Sequence, residues 1–175
     1  MNENNPMRKI RIEKVTLNIG AGKDGERLKK GVKLLTTLTG VKPVQTVTQK
    51  RIPGWGLRPG LAIGCKLTLR GKKARDILKR LIEAKDNVLD EKRFDQYGNF
   101  AFGIAEYIDI PDIEYDPEIK ILGLEVSVTL ERPGFRIKRR GVKTKPIPKT
   151  HQITKEEGIE FVKKELNVKI GEEEA

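Results

Sequence analysis

Leu61-Ala-Ile-Gly-Cys-Lys-Leu-Thr-Leu-Arg70 is the stretch on which the fold turns. Leu61, Ile63, Cys65, Leu67 and Leu69 alternate with Ala62, Gly64, Lys66, Thr68 and Arg70. A strict period of two defines a half-buried strand, one face apolar and the other presenting Lys66, Thr68 and Arg70. Just upstream, Val44 to Lys50 reads as a second strand that can place Thr46, Thr48 and Lys50 on one face. Between them, Arg51-Ile-Pro-Gly-Trp-Gly-Leu-Arg-Pro-Gly60 has two prolines and three glycines in ten residues and must be a loop. Downstream, Ile77, Leu78, Leu81 and Ile82 mark a helix from about residue 73 to 85.

Lys9 to Ile19 reads as an earlier strand whose parity shifts near Glu13, which a β-bulge explains. Beyond the shift, Lys14, Thr16 and Asn18 share the polar face. Gly20-Ala-Gly22 turns the chain, and Asp24 is placed to cap a helix carrying Leu28, Val32, Leu35 and Leu38, with Gly40 as its stop. Residues 86–103 show no clear period and read as a long ordered loop. Ile104 to Ile110 reads as a short strand, and Pro111 to Glu118 as an acidic turn region. Ile121 to Leu130 is another strand, with Leu122, Leu124, Val126, Val128 and Leu130 on one face. Arg132 to Lys149 is basic, punctuated by Pro and Gly, and hence extended or irregular. Thr154-Lys-Glu-Glu157 is a capping box that opens a last helix through about Leu166, before a frayed end at Glu172–Ala175.

Alternation on several strands, interleaved with amphipathic helices, predicts an α+β fold: an antiparallel sheet with helices packed on one face and the other face open. Residues 1–130 form the expected core, and 131–175 a basic extension with a C-terminal helix.

Charge is segregated along the chain. Between Arg27 and Arg75 there are 13 lysines and arginines and no acid, and Arg132 to Lys155 adds 9 more, again without acid. These two tracts hold 22 of the 36 basic residues, while the rest of the chain carries all 25 acidic ones. Cationic regions set on an anionic remainder point to a polyanionic partner, since each neutralised phosphate releases condensed counterions. One cysteine, Cys65, and one histidine, His151, cannot build the common zinc sites or an internal disulfide. No metal or cofactor is expected. There is no apolar run long enough to span a bilayer and no signal-peptide pattern, so the expected location is cytoplasmic, with no membrane partner.

Gly20-Ala-Gly22-Lys-Asp-Gly25 matches the dinucleotide fingerprint after a strand and before a helix, which makes a nucleotide-dependent enzyme the competing reading. The acidic residue expected about twenty positions on is missing, and Asp24 would oppose a pyrophosphate. No catalytic constellation and no small-molecule site is visible. The acids between Glu106 and Glu118 lack calcium-loop spacing and read as a solvated edge or a surface for a basic protein.

An open face lined by Lys14, Thr16, Asn18, Thr46, Lys66, Thr68 and Arg70 offers phosphate and 2′-hydroxyl contacts. It carries no aromatic residue, so folded RNA suits it better than stacked single strands. Trp55 either stands exposed between Arg51 and Arg58 or folds back to plug the core. A free RNA-binding or RNA-chaperone module is the alternative within this class.

Asn18-Ile-Gly-Ala-Gly22, Thr39-Gly-Val-Lys-Pro43, Lys50-Arg-Ile-Pro-Gly54, Leu57-Arg-Pro-Gly60, Ile63-Gly-Cys-Lys-Leu-Thr-Leu-Arg-Gly71, Asp95-Gln-Tyr-Gly-Asn99 and Ile110-Pro-Asp-Ile-Glu-Tyr-Asp116 occur in that order. This series resembles the large-subunit ribosomal protein L-five family over about residues 8–130. The tail resembles that family's archaeal and eukaryotic branch. The resemblance implies a structural role in the large ribosomal subunit, with no enzymatic activity. It implies anchoring of 5S rRNA in the central protuberance and contact with large-subunit rRNA. It implies contact with peptidyl-site tRNA through a long loop, and with neighbouring ribosomal proteins, one of them in the small-subunit head. Family positions that meet 5S rRNA match Lys14, Asn18 and Thr68. Val41 stands where bacterial members often have glutamine. The tRNA-approaching loop matches Arg51, Pro53, Gly54, Trp55 and Arg58, which favours an exposed tryptophan. The basic tail, with Arg136, Lys138, Arg139 and Arg140, is expected to thread along large-subunit rRNA and to order on binding.

Overall fold

In a computed structural model that describes residues 5–171, the regular elements are β1 (Arg11–Gly20), α1 (Gly25–Thr39), β2 (Val44–Val47), β3 (Ala62–Leu69), α2 (Gly71–Glu83), β4 (Val88–Leu89), β5 (Phe100–Ile104), β6 (Leu124–Glu131), α3 (Lys155–Leu166) and β7 (Lys169–Ile170). The expected fraying of Glu172–Ala175 lies outside the described residues. Five strands form one antiparallel sheet in the order β2-β3-β1-β6-β5, and β4 pairs in parallel with β7.

Period-two patterning builds the core directly. Val15, Leu17 and Ile19 of β1 face Leu69, Leu67 and Cys65 of β3, and Val128 and Val126 of β6 stand opposite Val15 and Leu17. All are buried, each full burial of such an apolar side chain contributing about 1.5–3 kcal/mol. Leu28, Leu34, Leu35 and Leu38 of α1, and Ala74, Ile77, Leu78, Leu81 and Ile82 of α2, cover this face. At Gly31 an added Cβ would lie 3.1 Å from Cys65 Sγ and 3.2 Å from Ile19 Cγ2, so α1 seats close on the sheet. Burial pushes the Cys65 thiol above its ordinary range.

The boundary signals act as read. Asp24 accepts hydrogen bonds from the backbone N–H of Glu26 and Arg27, and Gly40 ends α1 in the left-handed region. Thr154 and Glu157 form the full capping box of α3. The bulge falls where parity predicted it: Ile12 pairs with Leu130 and Lys14 with Thr129, which leaves Glu13 without a ladder partner.

Two expectations need correction, and two segments carry contacts that the sequence did not show. The segment 86–103 is not one loop, and 104–110 is not a strand: the pairing strand is β5, and Tyr107–Asp109 is a 3-10 turn. Phe100, Phe102 and Ile104 pair in register with Val128, Val126 and Leu124, and this apolar row outweighs the glycines that obscured it. Second, β2 ends at Val47 after a register shift, so Thr48 turns inward and is buried, exchanging hydrogen bonds with Lys50 backbone. Third, the acidic segment meets cations of its own chain. Lys33 of α1 pairs with Asp116 at 2.6 Å and with Glu118, and Arg80 of α2 donates to Pro111 O at 2.6 Å. Hydrogen bonds to Asp116 and Glu118 raise the Lys33 pKa, and the one to Lys33 lowers that of Asp116.

Fourth, the basic tail folds against the sheet through its own residues. Phe135, Ile147 and Ile153 are buried in the common core. Arg132, 2% exposed, donates to Arg8 O, His151 O, Gln152 O and Glu157 Oε1. Burial pushes the Glu157 carboxyl up, but the Thr154 N–H and the Arg132 guanidinium outweigh it and hold it below its usual range. Four acceptors around one buried guanidinium tie Arg8, the irregular segment at His151–Gln152 and the first turn of α3 together.

Candidate nucleic-acid interface

The uncovered face of the sheet is ordered by register into rows. One row runs Val44, Lys66, Asn18, Glu125, Gly103 across all five strands. The next runs Thr68, Thr16, Ser127, Ala101. Lys14 pairs with Thr129 in a third, and Thr46, Gly64 and Gly20 form a fourth on the far side. Lys66 and Thr68 are exposed, while Lys14, Thr16, Asn18 and Thr46 are half-buried. The sequence reading thus brings six of its seven sheet residues onto one surface.

Arg70, the seventh, bends to the sheet's end. It donates to Glu13 O and lies 3.2 Å from Glu13 Oε1. Glu125, Ser127 and Thr129 complete the surface and were missed, although the alternation of β6 carries the signal. Glu125 puts one carboxylate on this face, and it accepts a hydrogen bond from Asn18 Nδ2 at 3.3 Å.

The loop between β2 and β3 has a defined shape. Ile52 and Leu57 exchange backbone hydrogen bonds at 3.0 and 3.1 Å, Pro53–Trp55 makes a 3-10 turn, and Gly56 adopts the left-handed conformation. This closes a small cap whose tip presents Trp55 at 70% exposure, with Arg51, Pro53, Gly54 and Arg58 also exposed. The outward alternative for Trp55 is the observed one.

In the tail, Arg136, Lys138, Arg139 and Arg140 are all exposed, but not equally available. Lys138 Nζ lies 5.0 Å from the Phe135 ring centroid, Arg140 donates to Lys143 O, and Arg139 is tied to Glu13 and Glu131. The sequence reading missed both of these carboxylates, because each meets its arginines only through the tertiary fold.

The Gly20–Gly25 turn does not offer a phosphate cradle. The N–H groups of Ala21 and Gly22 donate to Ile63 O at 2.9 and 3.0 Å, and Asp24 occupies first-turn donors of α1. Among the described residues no group of His, Cys, Asp or Glu is arranged to hold a metal, and no helix is long and apolar enough to cross a membrane.

Among the described residues, the polar groups picked out by the sequence spread over a sheet face and a hairpin tip, an extended surface of the kind that nucleic-acid-binding proteins present. Residues 5–58 match the family pattern described as ribosomal protein L5, and residues 62–161 match the C-terminal pattern of the same ribosomal protein family. The chain is 53% identical over 169 residues to the large ribosomal subunit protein uL5 of Sulfurisphaera tokodaii, covering 96% of each chain. It is 53% identical to the protein of the same name from Nanoarchaeum equitans, covering 94% of this chain and 98% of that one. With that of Methanococcus vannielii the identity is 44%, covering 96% and 94%. The chain belongs to the ribosomal protein L5 family, and it is a ribosomal protein, not an enzyme.

Proposed function

We propose that the chain is a structural constituent of the large ribosomal subunit in the cytoplasm, where it binds 5S rRNA and attaches it in the central protuberance. The observation that carries this reading is the row-ordered polar face, since folded RNA is recognised through phosphates and 2′-hydroxyls. The family names its relatives bear support the same assembly. Asn18, Thr16, Thr46 and Thr68 supply uncharged hydrogen bonds that set register, and Lys14 and Lys66 neutralise phosphates. The exposed cap with Arg51, Trp55 and Arg58 meets peptidyl-site tRNA. Arg136, Lys138 and Arg140 lie along large-subunit rRNA, and other faces meet neighbouring ribosomal proteins, including one in the small-subunit head. Residues 1–130 act as the RNA-binding core and 131–175 as its extension.

Gel-shift titrations with 5S rRNA at several salt concentrations test this. Thr68→Ala should weaken binding with little change in salt slope, and Lys66→Ala should lower that slope by about one unit. Wild-type behaviour in both variants would remove the sheet face from the interface. Equal affinity for unrelated RNAs, with no chain on large subunits after sedimentation, would replace this reading with a free RNA-binding module.

A further inference from the structure

We propose that a second contact, outside the open face, is built into the end of the sheet: a cradle for one RNA backbone phosphate. This rests on the RNA-binding reading above. Where β1 begins and β3 passes into α2, a cleft of about 500 Å³ is lined by Arg11, Glu13, Arg70, Lys72, Arg75 and Glu131. Both carboxylates are buried, Glu13 at 8% and Glu131 at 6% exposure. A buried carboxylate persists only when paired, and here the pairs fix guanidinium groups in place. Arg70 and Arg139 share Glu13, while Arg11 at 2.7 Å and Arg139 at 2.8 Å share Glu131.

A guanidinium has five N–H donors in a rigid fork, and these ion pairs use only some of them. Arg11 and Arg70 therefore line the cleft with donors left over and with their positions set from beneath. Lys72 and Arg75, on the first turns of α2, are exposed and make no ion pair among the described residues. The four lining cations exceed the two carboxylates by two, and Arg139 raises the surplus to three. That surplus, presented by forked donors, suits a phosphate. The lining contains no aromatic ring on which a base could rest, which favours a backbone phosphate over a free nucleotide. Arg70 follows directly after Leu69, the partner of Val15, and so stands beside Lys14 at the end of the open face. A strand of RNA backbone lying on that face reaches the cleft through Arg70.

Simple attraction and a preset cradle differ on one variant. Glu13→Gln adds one positive charge to the protein. If charge alone governs, 5S rRNA binds tighter; if Glu13 positions Arg70 and Arg139, binding weakens about tenfold, the worth of one charge-assisted hydrogen bond. The experiment measures 5S rRNA affinity across salt for the wild type, Glu13→Gln, Lys72→Ala and Lys66→Ala, with thermal melts to show that each is folded. The expected result is weaker binding for folded Glu13→Gln and a salt slope lower by about one unit for Lys72→Ala. Should Glu13→Gln not fold, Lys72→Ala and Arg75→Ala, both at exposed positions, decide alone. A wild-type slope in these, or tighter binding by folded Glu13→Gln, overturns the cradle. So does saturation by micromolar inorganic phosphate without RNA, which would make the cleft a free-anion site. If Lys66→Ala lowers the slope while Lys72→Ala does not, the cradle falls and the open-face reading stands. If wild type shows no preference for 5S rRNA, the reading beneath both falls.

Discussion

Replacing Gly158 with alanine should unseat α3, although alanine is the better helix former. At Gly158 an added Cβ would lie 2.6 Å from Gly98 Cα and 2.7 Å from Gly98 O. Relaxed contacts need about 3.5–4.0 Å, so the helix and the 95–99 turn must separate by about 1 Å. Neither obstacle is a side chain that can rotate away. The turn is pinned, with Asp95 Oδ1 accepting from the N–H groups of Tyr97 and Asn99 at 2.8 Å each. Overpacking of this kind costs about 1–3 kcal/mol, against about 1 kcal/mol gained in helix propensity. The net loss is up to about 2 kcal/mol, and more if the shift strains the neighbouring Arg132–Glu157 pair. Urea denaturation reads the loss, and hydrogen exchange should place it in α3 and the 95–99 turn. Gly25→Ala is the control, since nothing lies within 4 Å of its added Cβ. A Gly158→Ala protein as stable as wild type, with α3 amides equally protected, would refute the close approach.

Arg132→Leu should cost about 3–5 kcal/mol in urea denaturation, because it strips a buried guanidinium from four acceptors and leaves Glu157 with only the more distant Arg8 at 3.8 Å. Because Glu157 titrates below its usual range when folded, its stabilisation is fully present above the ordinary glutamate value of 4.5 and is lost as pH falls from there through the depressed value. Urea midpoints should therefore drop on acidification, and Glu157→Gln should make that drop shallower; parallel profiles would count against it. Cys65, fully buried with a raised pKa, should react with iodoacetamide roughly 10³-fold more slowly in the native protein than in the unfolded chain. Trp55 fluorescence should be quenched by acrylamide almost as in free tryptophan, and a shielded signal would contradict its exposed position.

What the sequence revealed was whatever is periodic or local. The rows of β3 and β1, the Asp24 and Thr154 caps and the Glu13 bulge follow from spacing alone, because each depends on neighbours within a few residues. Phe100-Ala-Phe-Gly-Ile104 has the same period, but Gly98, Asn99 and Gly103 give it the look of a turn, and only its partners on β6 resolve it. Thr48 was misplaced because one shift in a four-residue strand reverses the faces beyond it. The charges of the interface were legible as positions and not as availabilities. Glu13 lies 57 residues from Arg70 and 126 from Arg139, so no local pattern shows that these arginines are partly occupied. The direction of Trp55 was open for the same reason, since a loop's aim is set by the hairpin that carries it.

The central strand of the sheet is also the first of its strands in sequence, and this sets the order in which the sheet can be completed during synthesis. β1 can close with β3 once residue 69 has emerged, burying one flank beneath α1. Its other flank waits for β6, and Arg11 meets Glu131 across 120 positions. Until then the strand keeps an open edge, available to any other extended chain, and so distant a closure is intrinsically slow. Arg132 is the first residue after that closing strand, and its grip on the Arg8 carbonyl joins the segment before β1 to the one after β6. The chain must extend 120 positions beyond Arg11 before its first strand is covered on both flanks. A nascent chain stalled before residue 124 should thus aggregate or recruit a chaperone where one stalled after residue 157 does not.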